Sequence, residues 1–467
     1  MAALYSTALD LFGLFGSNLA AAVSEFDIRT SWGNLSPYTD APGFGIPKGF
    51  PAGCELSQVH VLHRHGQRYP TPYPLDGGTM VMFSQKLANY SKKNPDIKVG
   101  TGPLEFLDNW QFTLGYDVLL PQGAATEAAA GAQFWSVYGH LLYRAGLGDA
   151  SYDPSLNVYP NGTARPKPTF RTTSKSRIVD SARWWLSGFF SKAGADSSSS
   201  EYELTIIPEQ DHFNNTLSPR STCTNGSFVG YSAAETFGKS IINGALERLS
   251  QFLPHGFGLD SMDVQAMFSL CPYEYAALGQ SSFCSLFTEQ EWRDFEYLLD
   301  LSFYGSPSGR ANGIGYVLEL AARLQSRLIM SSDAAFKAGS HGLPTSVPHA
   351  PPHNRFHMSQ IAPFGGRLFT EVWTCPKDVN LGRLQDQMYE NPNLSSRSDV
   401  TGYVRFVLNN APVPLDGLCD NADNGFCPLD HFLSNVLTLN KEALYQKACF
   451  GNYNIPTQVA NGQPIQT

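Results

Sequence analysis

The sequence has no long hydrophobic run, no excess of basic residues and no closely spaced cysteine pair. No stretch reaches the roughly 18 uninterrupted apolar residues of a membrane-spanning helix, so we expect a soluble protein without a membrane partner. The 32 Lys and Arg against 41 Asp and Glu give a formal charge of -9. This balance argues against nucleic acid as the main partner. The lack of CxxC pairs argues against a zinc or thiol-redox site.

The composition is that of a large globular protein. With 467 residues, of which 42% are hydrophobic, we expect one α/β body with an inserted helical part rather than tandem domains. A single region should span 31–455, with the helical part at roughly 100–160 and 240–325, followed by a tail at 456–467. Residues 1–30 resemble a degenerate signal peptide, because their apolar stretch ends in small residues but lacks a basic start.

Cysteine number and glycosylation motifs favour secretion. The eight cysteines form an even set, for which disulfides are the better interpretation. Sequons of the form Asn-x-Ser/Thr begin at Asn34, Asn89, Asn161, Asn214, Asn225 and Asn393. Such sequons suit a glycosylated, extracellular surface.

The segment Arg64–Pro70 follows a predicted strand. Residues 57–63 alternate into an apolar run that should enter the core, and ligand sites in α/β sheets lie beyond the carboxyl ends of strands. A second strand at Thr169–Thr173, followed by a helix at Ile178–Phe190, presents Arg177 near the helix start. Helical spacing also occurs at Gly123–Arg144 and within Met262–Leu301.

The residues around His65 could perform phosphoryl transfer. Guanidiniums at Arg64 and Arg68 would depress protonation of the imidazole between them and attract phosphate. A neutral imidazole is a nucleophile, and phosphoryl transfer otherwise needs positive charge on the phosphate oxygens and a proton for the leaving group. Gly66 permits a close backbone approach and Pro70 stiffens the loop. The alternative is a solvated basic turn.

The stretch Arg64–Thr71, with the sequence RHGQRYPT, resembles the RHGxRxP signature of histidine acid phosphatases and looks like the fungal phytases within that family. Other segments share the likeness: Trp32–Tyr38 (WGNLSPY), Gly102–Leu107 (GPLEFL), Arg171–Arg177, and Pro363–Arg367 (PFGGR) with Glu371 and Cys375. The resemblance extends over nearly the whole chain, from about Trp32 to Cys449, which one loop motif would not produce by chance.

The resemblance implies a fold and a mechanism. The fold would be the phosphoglycerate-mutase-like α/β fold of histidine phosphatases, with a central mixed sheet flanked by helices and a smaller helical domain. His65 would attack phosphorus, while Arg64, Arg68 and Arg177 hold the oxygens. The substrate would be phytate or another phosphomonoester, hydrolysed at acidic pH without a cofactor or metal. We further expect a monomer.

The family pattern also implies a disulfide framework. Eight cysteines allow about a hundred pairings, so sequence alone cannot choose among them. The resemblance implies Cys54–Cys375, Cys223–Cys449, Cys271–Cys284 and Cys419–Cys427.

One family feature is missing. The family places a His-Asp dipeptide after a late strand, where the aspartate protonates the leaving group as general acid. This sequence contains no His-Asp dipeptide, and the stretch from Gly315 to Pro363 looks shorter than the family's. Asp333 is the candidate proton donor, with Ser332 replacing the histidine. Alternatively, the dipeptide is absent through a deletion or a wrongly spliced gene model, and Asp333 caps a helix before Ala334.

Two further points stay open. His341, His349, His353 and His357 lie in a Pro-rich stretch, which we expect to be a solvated loop rather than a metal site because it offers no fixed geometry. An alternative to the enzyme is a catalytically silent protein that binds phosphate or inositol phosphates. A phosphoglycerate-mutase-like enzyme is less supported, because disulfides and sequons favour the extracellular compartment.

Overall fold

A computed structural model of the chain describes residues 26–72, 74–146, 148–159, 161–191, 200–210, 215–219, 223, 225, 229–304, 309–327, 348–352, 354, 356–385, 394, 397–415, 418–420 and 422–451. The strands are β1 (Phe50–Pro51), β2 (Glu55–His63), β3 (Thr169–Thr173), β4 (Glu203–Ile207), β5 (Arg367–Pro376), β6 (Leu384–Gln385), β7 (Val400–Leu408), β8 (Ala411–Pro412) and β9 (Phe426–Pro428). The α-helices are α1 (Thr79–Lys93), α2 (Pro121–Leu142), α3 (Ser176–Phe189), α4 (Val229–Ser250), α5 (Ser261–Leu278), α6 (Glu289–Tyr304), α7 (Gly309–Leu324), α8 (Met358–Ile361), α9 (Leu429–Glu442) and α10 (Tyr445–Phe450).

The described strands form one five-stranded antiparallel sheet and two separate two-stranded sheets, one of which is parallel. β2 pairs with β5, β5 with β7, and β7 with both β8 and β9, all antiparallel. β3 and β4 form a separate parallel pair, and β1 pairs with β6. The α/β fold class predicted from the sequence is therefore confirmed, and among the described strands its mixed sheet is divided into these pieces.

Predicted elements agree with the structure to within two residues at most ends. The strand expected at 57–63 begins earlier, at Glu55, and the helix expected at Ile178–Phe190 begins at Ser176. α3 buries Val179, Trp185, Leu186 and Phe189 at helical spacing, which explains its docking.

Capping residues fix where α5 begins and ends. The Asp260 carboxylate accepts hydrogen bonds from the backbone N–H groups of Met262 and Asp263. The Asp263 carboxylate in turn accepts from Asp260 N, which completes a capping box. Gly279, in a left-handed conformation, ends the helix.

Two principal cores lie on either side of the signature loop. One is helical and contains residues of α1 and α4–α6, together with the fully buried Trp32 and Phe364. The other packs α2 and α3 against the sheet. This packing differs from the expectation that roughly 100–160 belongs to the helical part, because Phe134, Trp135 and Tyr138 of α2 face the sheet core. The predicted domain boundaries stay a prediction.

The four disulfides pair the cysteines as the family resemblance implies. They join Cys54 to Cys375, Cys223 to Cys449, Cys271 to Cys284 and Cys419 to Cys427. The first two close loops of 321 and 226 residues, and long closed loops restrict the unfolded chain most. Among the described helices, none is long and apolar enough to cross a bilayer.

A buried ion pair joins β5 to β7, and a hydrogen bond from Tyr138 connects it to α2. Glu371 on β5 is 1% exposed and Arg405 on β7 is 3% exposed. The carboxylate accepts from Arg405 Nε at 2.8 Å, from the Tyr138 hydroxyl at 2.7 Å and from Trp373 Nε1 at 2.9 Å. Every partner is hydrogen-bonded, which is the condition under which a buried charge is tolerated.

We expect Glu371→Gln to lower the free energy of unfolding by about 3–5 kcal/mol, because it leaves the buried Arg405 guanidinium without its counter-charge. Urea titration followed by tryptophan fluorescence measures the change. The control is Tyr138→Phe, which removes one hydrogen bond to the same carboxylate and should cost only about 1 kcal/mol. Equal losses in the two variants would contradict the importance of the charge.

Candidate active site

The segment Arg64–Pro70 leaves β2 and is held on both sides by backbone hydrogen bonds. Toward β5, Arg64 N donates to Gly366 O at 2.8 Å, and Gly365 N donates to His65 O at 3.0 Å. On the other side the chain runs antiparallel to 117–120, with Leu120 N donating to Gln67 O at 2.8 Å. The strand end is fixed as well, since His63 Nε2 lies 2.7 Å from the fully buried Glu127 Oε2 on α2.

Gly66 is required by its contact with α2. A Cβ atom at this position would lie 2.5 Å from Gly123 O and 2.8 Å from Gly123 Cα. Because both atoms belong to backbone, no side-chain rotation could relieve the contact. The absence of a side chain thus lets the loop rest on the first turn of α2.

His65 carries a hydrogen bond that determines its tautomer. Its Nδ1 lies 2.9 Å from Gly66 O. A carbonyl oxygen can only accept, so Nδ1 carries the proton and the Nε2 lone pair is free. Burial, followed by the charges of Arg64 and Arg68, holds the pKa of the His65 imidazole well below its usual range. Burial and the neighbouring charges therefore both favour the neutral ring.

The Arg64 guanidinium is held by backbone carbonyls and an aromatic ring. Its Nη1 donates to Ala362 O at 2.6 Å and to Asn34 O. Its Cζ lies 4.6 Å from the centre of the Phe364 ring, which also lies 5.8 Å from the His65 ring. With Nη1 engaged, the remaining N–H groups of Arg64 can donate elsewhere.

Arg68 is positioned by a carboxylate and a phenol. Its Nη2 donates to Asp76 Oδ2 at 2.9 Å and its Nη1 to the Tyr273 hydroxyl at 3.1 Å. Tyr273 and Thr71 also donate to Asp76, so that carboxylate has three donors. Burial alone would lower the pKa of Arg68, but Tyr273 and Asp76 raise it above its ordinary value.

Arg177, on the first turn of α3, pairs with Asp117 at 2.5 Å. Asp117 adopts a left-handed backbone, φ 52°, which aspartate tolerates better than most residues. Ser181 joins α3 to the loop, because its hydroxyl accepts from Gly66 N at 3.2 Å and donates to Arg177 O at 2.7 Å. Burial lowers the pKa of Arg177, an effect that Asp117 opposes and Arg68 reinforces.

The sequence-predicted His65, Arg64, Arg68 and Arg177 therefore converge. The Phe364 ring contacts both Arg64 and His65, and Ser181 links Gly66 N to Arg177 O. After the larger effect of burial, the charges of all three arginines lower the pKa of His65. Within the part of the chain described here, the Nε atoms of Arg68 and Arg177 are buried and have no hydrogen-bond partner. Such donors suit the oxygens of a tetrahedral anion. Asp333 and the adjoining Ser332 lie outside the described residues, so the proton donor stays a prediction.

Sequence reasoning missed several residues that position the site. Tyr273 lies 205 residues from its partner Arg68, and neither Asp76 nor Asp117 lies in a segment that resembles the family. Phe364 lies within the PFGGR segment, but the sequence does not indicate its contact with Arg64. Only its place next to Gly365 and Gly366 could have indicated a loop close to His65.

The histidines of the Pro-rich stretch include two that contact α6. His349 Nδ1 lies 2.7 Å from Asp294 Oδ2 and its side chain is 61% exposed, as expected for a solvated loop. His357 Nδ1 lies 3.8 Å from Asp300 Oδ2, and its side chain is only 33% exposed. His341 and His353 lie outside the described residues. One ligand atom each of Glu296, Asp300 and His357 lies within 4.8 Å of the others, a spacing that could hold a metal ion. Both carboxylates already accept backbone N–H bonds, which gives their charge another partner.

The chain is similar to known phosphatases over most of its length. Residues 55–409 match the family described as histidine phosphatase superfamily, branch 2. A phytase of Candida albicans is 26% identical over 461 residues, covering 94% of this chain and 90% of the relative. Phytase A of Aspergillus oryzae is 27% identical, covering 87% of each chain. A thiamine-repressible acid phosphatase of Schizosaccharomyces pombe is 27% identical, covering 91% and 90%.

Solved structures share the fold. The phytase of D. castellii superimposes with a TM-score of 0.70 at 22% sequence identity, covering 96% of this chain and 93% of that one. The multiple inositol polyphosphate phosphatase of Bifidobacterium longum, in complex with inositol hexasulfate, gives a TM-score of 0.54 at 14% identity, covering 90% and 99%.

We expect Gly66→Ala to weaken binding of inorganic phosphate at least tenfold, because the added methyl group forces the loop away from Gly123. The displaced loop would lose one charge-assisted hydrogen bond to phosphate, worth about 1.5–3 kcal/mol. Isothermal titration calorimetry measures the affinity. Gly244→Ala on α4 is the control, since its Cβ would meet nothing within 4 Å. It should leave phosphate affinity unchanged. Wild-type affinity in Gly66→Ala would show that the contact does not set the loop.

Proposed function

The chain belongs to the histidine phosphatase superfamily, branch 2, and from that premise we propose that it hydrolyses phosphomonoesters through a phosphohistidine formed on His65. The observation that carries the proposal is the hydrogen bond from Nδ1 to Gly66 O, which leaves Nε2 as an unprotonated nucleophile. Burial and the charges of the arginines lower the pKa of the ring, which favours this state. The three arginines supply the positive charge that a phosphoryl group needs.

The reaction proceeds in two displacements. His65 Nε2 forms a bond to phosphorus while the ester P–O bond breaks, and the departing alkoxide takes a proton from a general acid. Water then attacks phosphorus and gives a proton to the carboxylate left by the general acid, the P–N bond breaks, and inorganic phosphate and neutral His65 are released. Arg64, Arg68 and Arg177 hold the equatorial oxygens in both steps, and fixed donors of this kind stabilise developing charge without reorganisation.

We assign the general acid to Asp333. Asp76 and Asp117 lie near the arginines, but each already accepts a hydrogen bond from one of them and so has a structural partner. A carboxyl group placed beyond these ion pairs is a better proton donor. Ser332 would stand where a phosphate-binding histidine precedes the acid in related enzymes.

The proposed substrates are phytate and other phosphomonoesters, because relatives named phytase and acid phosphatase match the chain at similar identity. Four disulfides and six sequons support an extracellular location, where oxidising conditions preserve such bonds. The enzyme would act as a monomer, without metal or cofactor.

A silent phosphate-binding protein is the second candidate. It is favoured by the arginine pairing of Asp76 and Asp117, which leaves the protonation step dependent on Asp333. In that case the pocket would bind phosphate and release no product.

We expect His65→Ala to abolish hydrolysis of p-nitrophenyl phosphate and phytate, because the variant lacks the proposed nucleophile. Rapid quenching followed by mass spectrometry should detect one covalent phosphate in the wild type and none in the variant. Replacement of the exposed His255 by alanine is the control and should leave both rates unchanged. Persistent covalent phosphate in His65→Ala would exclude His65 as the nucleophile.

We expect Asp333→Asn to lower kcat by about a hundred- to ten-thousand-fold, the usual contribution of a general acid, with little effect on phosphate affinity. The loss should be smaller for p-nitrophenyl phosphate than for phytate, because nitrophenolate leaves without a proton. Equal rates for wild type and Asp333→Asn on phytate would contradict the assignment. An inactive wild type that still binds phosphate would favour the silent protein.

A further inference from the structure

Two separate segments supply the carbonyls that hold Arg64. Asn34 lies in the turn Gly33–Leu35, and Ala362 directly follows α8, more than 300 residues later. The segments meet where Phe364 N donates to Ser36 O at 3.0 Å. The direction of the Arg64 guanidinium therefore depends on how these two segments are placed relative to each other.

Glu296 on α6 contacts both segments at once. Its Oε2 accepts from Gly33 N and its Oε1 accepts from Ser359 N at 3.0 Å. The residue is 4% exposed, so water does not substitute for these donors. Gly33 adjoins Asn34 in the chain. Ser359 lies within α8, and Ala362 is the first residue after that helix.

We propose that Glu296 is a positioning residue for phosphate binding: by bridging Gly33 and Ser359, its carboxylate sets the two carbonyls that aim Arg64. The inference rests on the proposed function, in which Arg64 binds phosphate. Glu296 itself would contact neither substrate nor His65. It acts through two backbone segments.

Packing around Glu296 supports a fixed geometry. Gly33 has φ 55°, and a Cβ there would lie 2.7 Å from Leu299 Cδ1, so the turn is pressed against α6. One turn along the helix, Asp300 accepts from Met358 N and from Asn354 Nδ2, both at 2.7 Å. The carboxylates of Glu296 and Asp300, one turn apart on α6, thus both accept hydrogen bonds from the segment that forms and precedes α8.

The hydrogen bonds of Glu296 and Asp300 can persist when one of the two carboxyl groups is protonated. Burial raises the pKa of both Glu296 and Asp300, and for Asp300 the neighbouring Glu296 raises it further. His357 is the other titratable group beside them. A protonated carboxyl still accepts N–H bonds on both oxygens, so the bridge survives when the pair takes up a proton.

Glu296→Gln breaks the bridge with minimal change of shape. An amide nitrogen cannot accept, so whichever way the side chain is turned, Gly33 N or Ser359 N faces another donor. We expect the affinity for inorganic phosphate, measured by calorimetry at pH 5, to fall about tenfold, equivalent to one charge-assisted hydrogen bond. Glu296→Asp, which keeps both acceptors on a shorter chain, should fall less.

Glu291→Gln is the matched control. Glu291 lies on the same helix and accepts from Arg248 and from Thr288 N, away from the Arg64 segments. Glu291→Gln should lower the midpoint temperature of thermal unfolding without changing the affinity for phosphate. If Glu291→Gln reduced affinity as much as Glu296→Gln, damage to α6 rather than the bridge would be the cause, and the proposal would fail.

A double-mutant cycle tests whether Glu296 acts through Arg64. In an Arg64→Ala background, adding Glu296→Gln should cause no further loss of phosphate affinity, whereas independent effects would add. Arg64→Lys provides a second background if Arg64→Ala does not fold. Additive losses would overturn the proposal. Because the cycle measures binding, it stands even if wild-type protein shows no turnover, which would instead refute the proposed enzyme.

Discussion

The concentration of three guanidiniums around one imidazole is the constraint on which the rest of the site depends. Like charges in a partly buried pocket repel, and each arginine is stabilised by a different kind of partner. Arg64 has carbonyls and the Phe364 ring, Arg68 has Asp76 and Tyr273, and Arg177 has Asp117. These contacts fix the charges in place, so that the field lowering the pKa of His65 is present before any ligand arrives.

The partners come from distant parts of the chain, which explains the rigid framework behind them. Tyr273 belongs to the helical core. The carbonyls that accept from Arg64 belong to segments hydrogen-bonded to α6. Arg177 lies on α3, which packs beside the sheet. The groups that hold the arginines therefore come both from the helical core and from the helices beside the sheet. Disulfides such as Cys54–Cys375, together with the buried Glu371–Arg405 pair, hold the strands that carry the loop.

Local patterns predicted the elements well because each depends on neighbours in sequence. Thr169–Thr173 and α3 follow from alternation and helical spacing, and the signature at Arg64–Pro70 lies beyond a strand end as expected. The helix Pro121–Leu142 was predicted as a helix but placed with the helical part, since periodicity tells which face is buried and not what covers it.

The sequence by itself indicated the proposed nucleophile His65, its flanking arginines and, through family resemblance, the cysteine pairing, because the first two are carried by a contiguous motif and the third by a family pattern. Only the tertiary structure decided which groups hold the arginines: Asp76, Asp117, Tyr273 and the bridge through Glu296. Such contacts join residues far apart in the chain, and a single carboxylate or phenol has no sequence pattern that distinguishes it from others. Its partner is chosen by the distance and burial that folding creates.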